Sequence, residues 1–187
     1  MGRRISLVGL AESTAAAPTL DIYSDMSGVA LGGYWKGTSM WCYAPIPEYV
    51  TLNRMLRAEK DFIFSGHAEA AGILLCLLTF LPLWAARYPS RRPGMPVLLH
   101  SDSDVAVKVW NSQKGRSRIR PYLRAIERLC AFYSINLQIR FVKGSENVVA
   151  DTISRSQVGK MNAELRLVFP EGDNLPQPRI SPGLLFL

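Results

Sequence analysis

Alternating apolar and polar residues predict strands in the first part of the chain. Over residues 19–25 a period of two places Asp21 and Asp25 on one face and Leu20 and Ile22 on the other, as in a strand with one buried face. Glycines separate this run from two further beta-rich runs, which predicts an antiparallel meander. Its second and third strands are predicted over 29–36 and 38–43.

Apolar residues at helical spacing follow from residue 67. Ala70, Ile73 and Leu77 lie on one face of a helix predicted over 67–86, and Pro82 is expected to kink or end it. The remaining predicted elements are a strand at 96–100, a helix at 103–112, a basic turn at 114–120, a helix at 119–133, a strand at 137–141 and a helix at about 146–155 with Ser145 as its N-cap.

This order of elements predicts an α/β domain at 19–156. A strand–helix–strand crossover makes neighbouring strands parallel, so two parallel strands should extend the meander into a mixed five-stranded sheet with helices on both faces. Residues 1–18 are expected to be a leader or the remnant of a preceding segment. Residues 157–187 are rich in proline and are expected to form a tail or linker.

Composition narrows the class of protein. The chain has 187 residues and a formal net charge of +7, which favours a polyanionic partner. Its three cysteines, Cys42, Cys76 and Cys130, are isolated, which argues against disulfides and structural zinc and favours an intracellular protein, with cytoplasm and nucleus not distinguished.

Two short patterns suggest functions that the wider sequence does not support. His67-Ala68-Glu69 matches the start of the zinc deaminase signature, but the P-C-x-x-C half of that signature is absent. Residues 70–86 carry no charge, yet the run falls short of a transmembrane span and contains Pro82. A buried core helix is the better interpretation, and no membrane partner is expected.

Four acidic residues stand where predicted elements end or face one another. Asp25 ends the first strand, Asp102 follows the fourth, Glu69 opens the long helix and Asp151 lies in the last one. The carboxyl ends of parallel strands and the neighbouring helix starts gather at one edge of a sheet. Acids gathered there repel unless cations neutralise them, and carboxylate oxygens suit Mg²⁺ or Mn²⁺. The pattern therefore predicts a two-metal site for phosphodiester hydrolysis.

The residues around these acids resemble a known family. Ser24–Gly28, His67–Glu69, Ser101–Ser103 and above all Gly144–Arg155 are similar to the ribonuclease H domain of retroelement reverse transcriptases, in gypsy-like or DIRS-like retrotransposons. The last block matches the family ending G-x-x-N-x-x-A-D-x-L-S-R with Ile153 in place of Leu. Gly115 and Ser117 lean towards the DIRS-like group. The resemblance spans about residues 19–156.

The resemblance implies a ribonuclease H-like fold and Mg²⁺-dependent cleavage of the RNA strand of RNA–DNA hybrids. It implies two Mg²⁺ ions, replaceable by Mn²⁺, with Asp25, Glu69, Asp102 and Asp151 as metal ligands and catalytic residues. It also implies a reverse transcriptase polymerase domain as partner in a full-length polyprotein. The chain lacks the family's histidine before the last helix, where residues 140–143 read Arg-Phe-Val-Lys. This change is expected to affect the rate of turnover more than whether the protein is active.

Substrate contacts are predicted mainly in the basic turn. Phosphate contacts are expected from Lys114, Arg116, Arg118, Arg120 and the nearby Arg124, although the same charges are also typical of a solvated turn. Gly28 and Asn147, close to the acids, are further candidates. Two alternatives stay open: a catalytically idle nucleic-acid-binding or interaction module of the same fold, and another nuclease of the superfamily, against which the Gly144–Arg155 block argues.

Overall fold

The computed structural model describes residues 18–47, 61–112 and 119–155, with side chains from residue 66 onwards in the second range. The predicted leader, the tail and most of the basic turn lie outside these residues. Within them, the sheet has five strands in the order β3-β2-β1-β4-β5. They are β1 Leu20–Met26, β2 Ala30–Trp35, β3 Trp41–Pro45, β4 Met95–Ser101 and β5 Ile135–Phe141.

The strand directions confirm the predicted mixed sheet. β1 pairs antiparallel with β2, and β2 pairs antiparallel with β3. β4 lies parallel to β1 on one side and to β5 on the other. Because both parallel connections run through helices, the carboxyl ends of β1, β4 and β5 meet at one edge of the sheet.

Helices cover both faces of the sheet, as predicted. The helices are α1 Asp61–Arg87, α2 Asp104–Ser112, α3 Arg120–Tyr133 and α4 Val148–Arg155, the last preceded by a 3-10 turn at Gly144–Glu146. Two adjacent glycines of β2 show the two layers, because neighbouring positions of a strand face opposite sides. A Cβ on Gly32 would meet the backbone of Ser154 in α4, whereas one on Gly33 would meet Cys76 of α1.

The core lies between the sheet and α1. Leu77, Phe80, Leu81 and Trp84 of this helix have no exposed surface. Within the described residues one stretch, Gly66–Arg87, is long and apolar enough to cross a membrane, but 78% of its most apolar window is buried inside the protein. That burial confirms the interpretation of this segment as a core helix.

Pro82 was expected to kink or end α1. The helix does not end there, since it continues to Arg87. Proline removes the N–H that would donate to the carbonyl of Leu78, which weakens the helix locally. Pro82 and Leu83 are exposed, so water can reach this turn, while buried residues on either side hold the helix against the sheet. The helix also begins six residues before its predicted start at residue 67, at Asp61.

One further local prediction is corrected at the end of the domain. Ser145 is not the N-cap of the last helix, because residues 144–146 form the 3-10 turn and α4 begins at Val148. Phe141 alternates with the buried Leu137 and Ile139 yet is 52% exposed. It ends the edge strand β5, and the next residue, Val142, takes the buried position instead.

Candidate active site

The four predicted acids lie on four elements that meet at the carboxyl edge of the sheet. Asp25 is the penultimate residue of β1, and Asp102 directly follows the parallel strand β4. Glu69 lies in α1 and Asp151 in α4, the helices that cover β1 from its two faces. Residues distant in sequence are thus brought together by strand pairing and helix packing.

Electrostatic interactions connect the four carboxyl groups. Burial, followed by the charges of Asp25 and Asp102, raises the pKa of Glu69 to about 9. Burial raises the pKa of Asp25 to about 6, with further increases from Asp102 and Asp151. Burial also raises the pKa of Asp102, to which Asp151 contributes. Burial is the largest cause of each shift and repulsion among the acids adds to it, and a bound cation would favour the ionised form of all of them.

The carboxylates are close enough to repel one another but are not drawn around a single point. Among the residues that the structure describes, no group of three or more His, Cys, Asp or Glu side chains is arranged as a ready metal-ligand set. Asp25 and Asp151 are instead engaged by neighbours from α4. The Oδ2 atom of Asp25 accepts a hydrogen bond from the Ser154 hydroxyl, and Asp151 Oδ1 lies 2.5 Å from Arg155 Nε.

Asp21, on the same face of β1 as Asp25, belongs to a different cluster. Its Oδ1 atom lies 2.8 Å from Nε2 of His100 in β4. The His100 ring stacks on Tyr23 with 4.4 Å between ring centres, and Tyr23 stacks in turn on Tyr34 at 5.1 Å. Asp21, four residues before Asp25 in β1, is therefore paired with an imidazole, whereas Asp25 lies at the acidic edge.

A solved structure with a similar fold provides the comparison with known proteins. No protein-family model and no curated protein matches the chain. The crystal structure of RNase H1 from the halophilic archaeon Halobacterium salinarum NRC-1 superposes with a TM-score of 0.50 and 14% sequence identity, over 73% of this chain and 94% of that chain. The chain has the ribonuclease H fold. At this identity the comparison establishes the architecture, and the chemistry has to be argued from the residues.

In this ribonuclease H fold, Ser154 is a site residue that the sequence analysis did not single out. The residue is fully buried, and its hydroxyl donates to Asp25, with the carbonyl of Asp151 as a second acceptor at 3.0 Å. Its own carbonyl accepts a 2.5 Å hydrogen bond from the Ser27 hydroxyl. The last turn of α4 is thereby fastened to Asp25 of β1 and to Ser27 just after that strand. The sequence feature that could have identified Ser154 as a site residue is its position three residues after Asp151.

Two glycines allow close approach at the site. Gly32 of β2 pairs with Asp25 across the sheet. A Cβ there would lie 2.7 Å from the Ser154 nitrogen and 2.8 Å from an Ile153 methyl group, so only glycine lets α4 lie this close to the sheet. A Cβ on Gly144 would lie 3.3 Å from Asp102 Oδ2, which places the 3-10 turn directly against the third carboxylate.

Asn147 has a structural role instead of the predicted contact with nucleic acid. It is fully buried, and its side-chain amide donates a 3.0 Å hydrogen bond to the Ser24 carbonyl of β1. Its own carbonyl accepts the first helical hydrogen bond of α4, from the Asp151 N–H. A buried amide cannot reach a duplex, so Asn147 sets the start of α4 and with it the position of Asp151.

The other predicted substrate contacts are placed only in part. Gly28 is exposed and follows β1 at the carboxylate edge, which is compatible with the predicted contact. Arg120 and Arg124 are exposed on α3. Lys114, Arg116 and Arg118 lie outside the described residues, so the phosphate-binding turn stays a prediction.

We expect Ser154→Ala to lower the activity of the site without unfolding the protein. Loss of a hydrogen bond to the charged form of Asp25 should raise the pKa of Asp25 further and release its carboxylate from a fixed orientation. Hydrogen bonds to charged groups contribute about 1.5–3 kcal/mol, so hydrolysis at pH 7 should fall about tenfold or more.

The pH–rate profile checks this role for Ser154. If the site hydrolyses phosphodiesters, as the four acids predict, the acidic limb should move to higher pH in Ser154→Ala, with the Michaelis constant for the substrate nearly unchanged. Ser90→Ala, an exposed serine far from the carboxylates, serves as the control. A uniform loss of rate at every pH would indicate that Ser154 only supports packing.

Proposed function

We propose that this chain is a metal-dependent endonuclease that cleaves the RNA strand of RNA–DNA hybrids. The observation that carries the proposal is the meeting of four carboxylates, Asp25, Glu69, Asp102 and Asp151, at the carboxyl edge of a ribonuclease H fold. Two of them, Asp25 and Glu69, are more than nine-tenths buried and have raised pKa values. A buried excess of acids destabilises the metal-free protein, and that cost is typical of a functional site.

The donor set fits hard divalent cations. The four carboxyl groups supply only oxygen ligands, which Mg²⁺ and Mn²⁺ prefer. We infer that Asp25, Glu69, Asp102 and Asp151 hold two such ions. When bound, these ions supply an activated water and charge stabilisation for a phosphodiester.

The protein residues position this chemistry. Ser154 orients Asp25, Gly144 leaves room for Asp102, and Asn147 sets the helix that presents Asp151. Asp25 and Glu69, whose pKa values are raised, give up any proton they hold when a cation binds, because a nearby positive charge favours the ionised carboxylate.

The substrate is inferred from charge and fold together. A net charge of +7 favours a nucleic acid, and the basic turn with Lys114, Arg116, Arg118 and Arg120 is the proposed phosphate contact. Exposed Gly28 lets a backbone approach beside Asp25, where 2′-hydroxyl groups would mark the RNA strand. We further propose an intracellular retroelement reverse transcriptase as context, with its polymerase domain as partner, on the strength of the Gly144–Arg155 block.

The deciding experiment measures cleavage of a labelled RNA–DNA hybrid in Mg²⁺ and in EDTA. Cleavage of the RNA strand in Mg²⁺, absent in EDTA and absent on duplex DNA, is the expected result. Binding of the hybrid without cleavage in Mg²⁺ or Mn²⁺ would instead establish the idle binding module.

We expect Asp151→Asn to reduce that cleavage by at least ~10²-fold, because the amide keeps the size of the side chain but loses the charge that holds a metal ion. Mn²⁺ should restore part of the rate. The melting temperature should be unchanged or slightly higher, since repulsion among the acids is relieved.

Asp104→Asn is the matched control for this variant. Asp104 lies two residues after Asp102, is exposed, and pairs with Lys108 at the same spacing as Asp151 with Arg155. Turnover of Asp151→Asn within a few-fold of the parent would exclude Asp151 as a ligand, and loss of folding would show that it is structural.

A further inference from the structure

Arg155 is the last residue of α4 and lies one helical turn beyond Asp151. Its Nε atom is 2.5 Å from Asp151 Oδ1. The arginine side chain is 69% exposed and the aspartate 37% exposed. Spacing of this kind is common on helix surfaces, where such a pair contributes little to stability.

The electrostatic reach of Arg155 distinguishes it from an ordinary surface pair. Its positive charge lowers the pKa values of both Asp25 and Asp102, in addition to pairing with Asp151. One guanidinium therefore acts on three of the four carboxylates. The equally spaced pair of Asp104 and Lys108 in α2 shows no such effect. Lys108 does not shift the pKa of Asp25, Glu69 or Asp102.

The backbone beneath Arg155 holds it in this place. Ser154 is buried, donates to Asp25, and accepts from Ser27 through its carbonyl. The Ser154 nitrogen lies against Gly32, so the last turn of α4 cannot shift away without losing these contacts. Arg155 directly follows this fastened residue, and the same helix thus carries a metal-ligand candidate and a cation beside it.

We propose that Arg155 is a built-in counterion of the carboxylate cluster, which a divalent cation must displace from Asp151. The inference rests on the proposed function, because the displacing cation is taken to be the metal ion used in hydrolysis. In the metal-free protein the guanidinium offsets part of the repulsion among the acids. It engages Oδ1 of Asp151, a carboxylate proposed to hold a metal ion, so it lowers the intrinsic affinity of the site for metal.

Calorimetric titration with MgCl₂ tests this competition on the full chain without nucleic acid. We compare the parent with Arg155→Gln, Arg155→Lys and the control Lys108→Gln at fixed ionic strength. Removal of a positive charge a few ångströms from a cation site should tighten Mg²⁺ binding about threefold to tenfold in Arg155→Gln. Arg155→Lys and Lys108→Gln should stay within twofold of the parent.

Thermal unfolding in EDTA gives the second measurement. Arg155→Gln should melt below the parent without metal, and saturating Mg²⁺ should remove most of that difference. Lys108→Gln should show neither effect. A destabilised Arg155→Gln that recovers with Mg²⁺ supports the proposal, whereas equal destabilisation with and without Mg²⁺ overturns it.

The remaining outcomes separate this inference from the nuclease itself. Unchanged or weaker Mg²⁺ binding in Arg155→Gln overturns the counterion role, even if the parent cleaves hybrids. Absence of Mg²⁺ binding in both parent and Arg155→Gln also overturns it. Failure of the proposed function is assessed separately, by absence of hybrid cleavage in the parent.

Discussion

In the proposed nuclease, Asp25→Asn should nearly abolish cleavage of RNA–DNA hybrids, with a fall of at least ~10³-fold, because each metal ion would contribute several kcal/mol of charge stabilisation and Asp25 is a proposed ligand. Asp25 interacts electrostatically with each of the other three acids, Glu69, Asp102 and Asp151. Single-turnover cleavage in Mg²⁺ measures the loss. A rate within tenfold of the parent would remove Asp25 from the site.

The same variant should be more stable than the parent in EDTA at pH 7–8. Burial raises the pKa of Asp25 to about 6 from an ordinary value of 3.8, so the folded protein binds more protons than the unfolded chain between these values. Stability of the metal-free parent therefore falls as the pH rises from about 4 to 6, and the full cost is present above that range. A shift of this size corresponds to about 1–3 kcal/mol.

Melting temperatures of Asp25→Asn and the parent, measured across a range of pH, check the sign of this predicted stability change. Asp25→Asn should melt well above the parent at pH 8 and close to it at pH 4, since Asp25 is then protonated in the folded state and partly protonated in the unfolded chain, which removes most of the cost of its ionisation. The amide oxygen of the variant can still accept the Ser154 hydrogen bond, so folding should be preserved. A stability advantage that is independent of pH would show that relief of charge is not its cause.

Gly32→Val should separate α4 from the sheet and lower both stability and activity. A side chain at residue 32 would overlap the Ser154 nitrogen and an Ile153 methyl group at 2.7 and 2.8 Å. Forcing extra atoms into a packed contact costs about 1–3 kcal/mol, sometimes more, and here the cost falls on the helix that carries Asp151. We expect a lower melting temperature and a fall in cleavage of about 10²-fold, since misplacement by about 1 Å is sufficient for such a loss.

Gly28→Ala is the matched control for this steric effect. Gly28 belongs to the same β1–β2 region, but a Cβ at this residue meets nothing within 4 Å. Its melting temperature should equal that of the parent. If Gly32→Val proves as stable and active as the parent, the close packing of α4 on β2 is not needed to place Asp151.

The sequence pattern alone determined the architecture to a large extent. Strict alternation over 19–25 and the apolar spacing after residue 67 are local signals, because burial of one face imposes a period of two on strands and 3.6 on helices. The identity and order of the elements follow from them, as do the parallel additions that a helical crossover requires. The four acids were visible for the same reason, since each stands at a predicted element end or helix face.

Local context determined features that the pattern described wrongly. Pro82 lies inside α1 because tertiary packing of Leu81 and Trp84 outweighs the lost hydrogen bond. Phe141 fits the alternation of β5, but it is the last residue of an edge strand and is 52% exposed. Burial is a property of the assembled layers, and a single strand's periodicity does not report where those layers end.

Only the tertiary structure decided what the site residues do. Asn147 and Ser154 belong to the Gly144–Arg155 block, but the block does not reveal their partners, Ser24 and Asp25, which lie more than 100 positions away. Hydrogen-bond partners of such separation exist only after the chain has folded. The raised pKa values of Asp25 and Glu69 have the same origin, because desolvation and like charge arise when the sheet and two helices bring separate carboxylates into one buried edge.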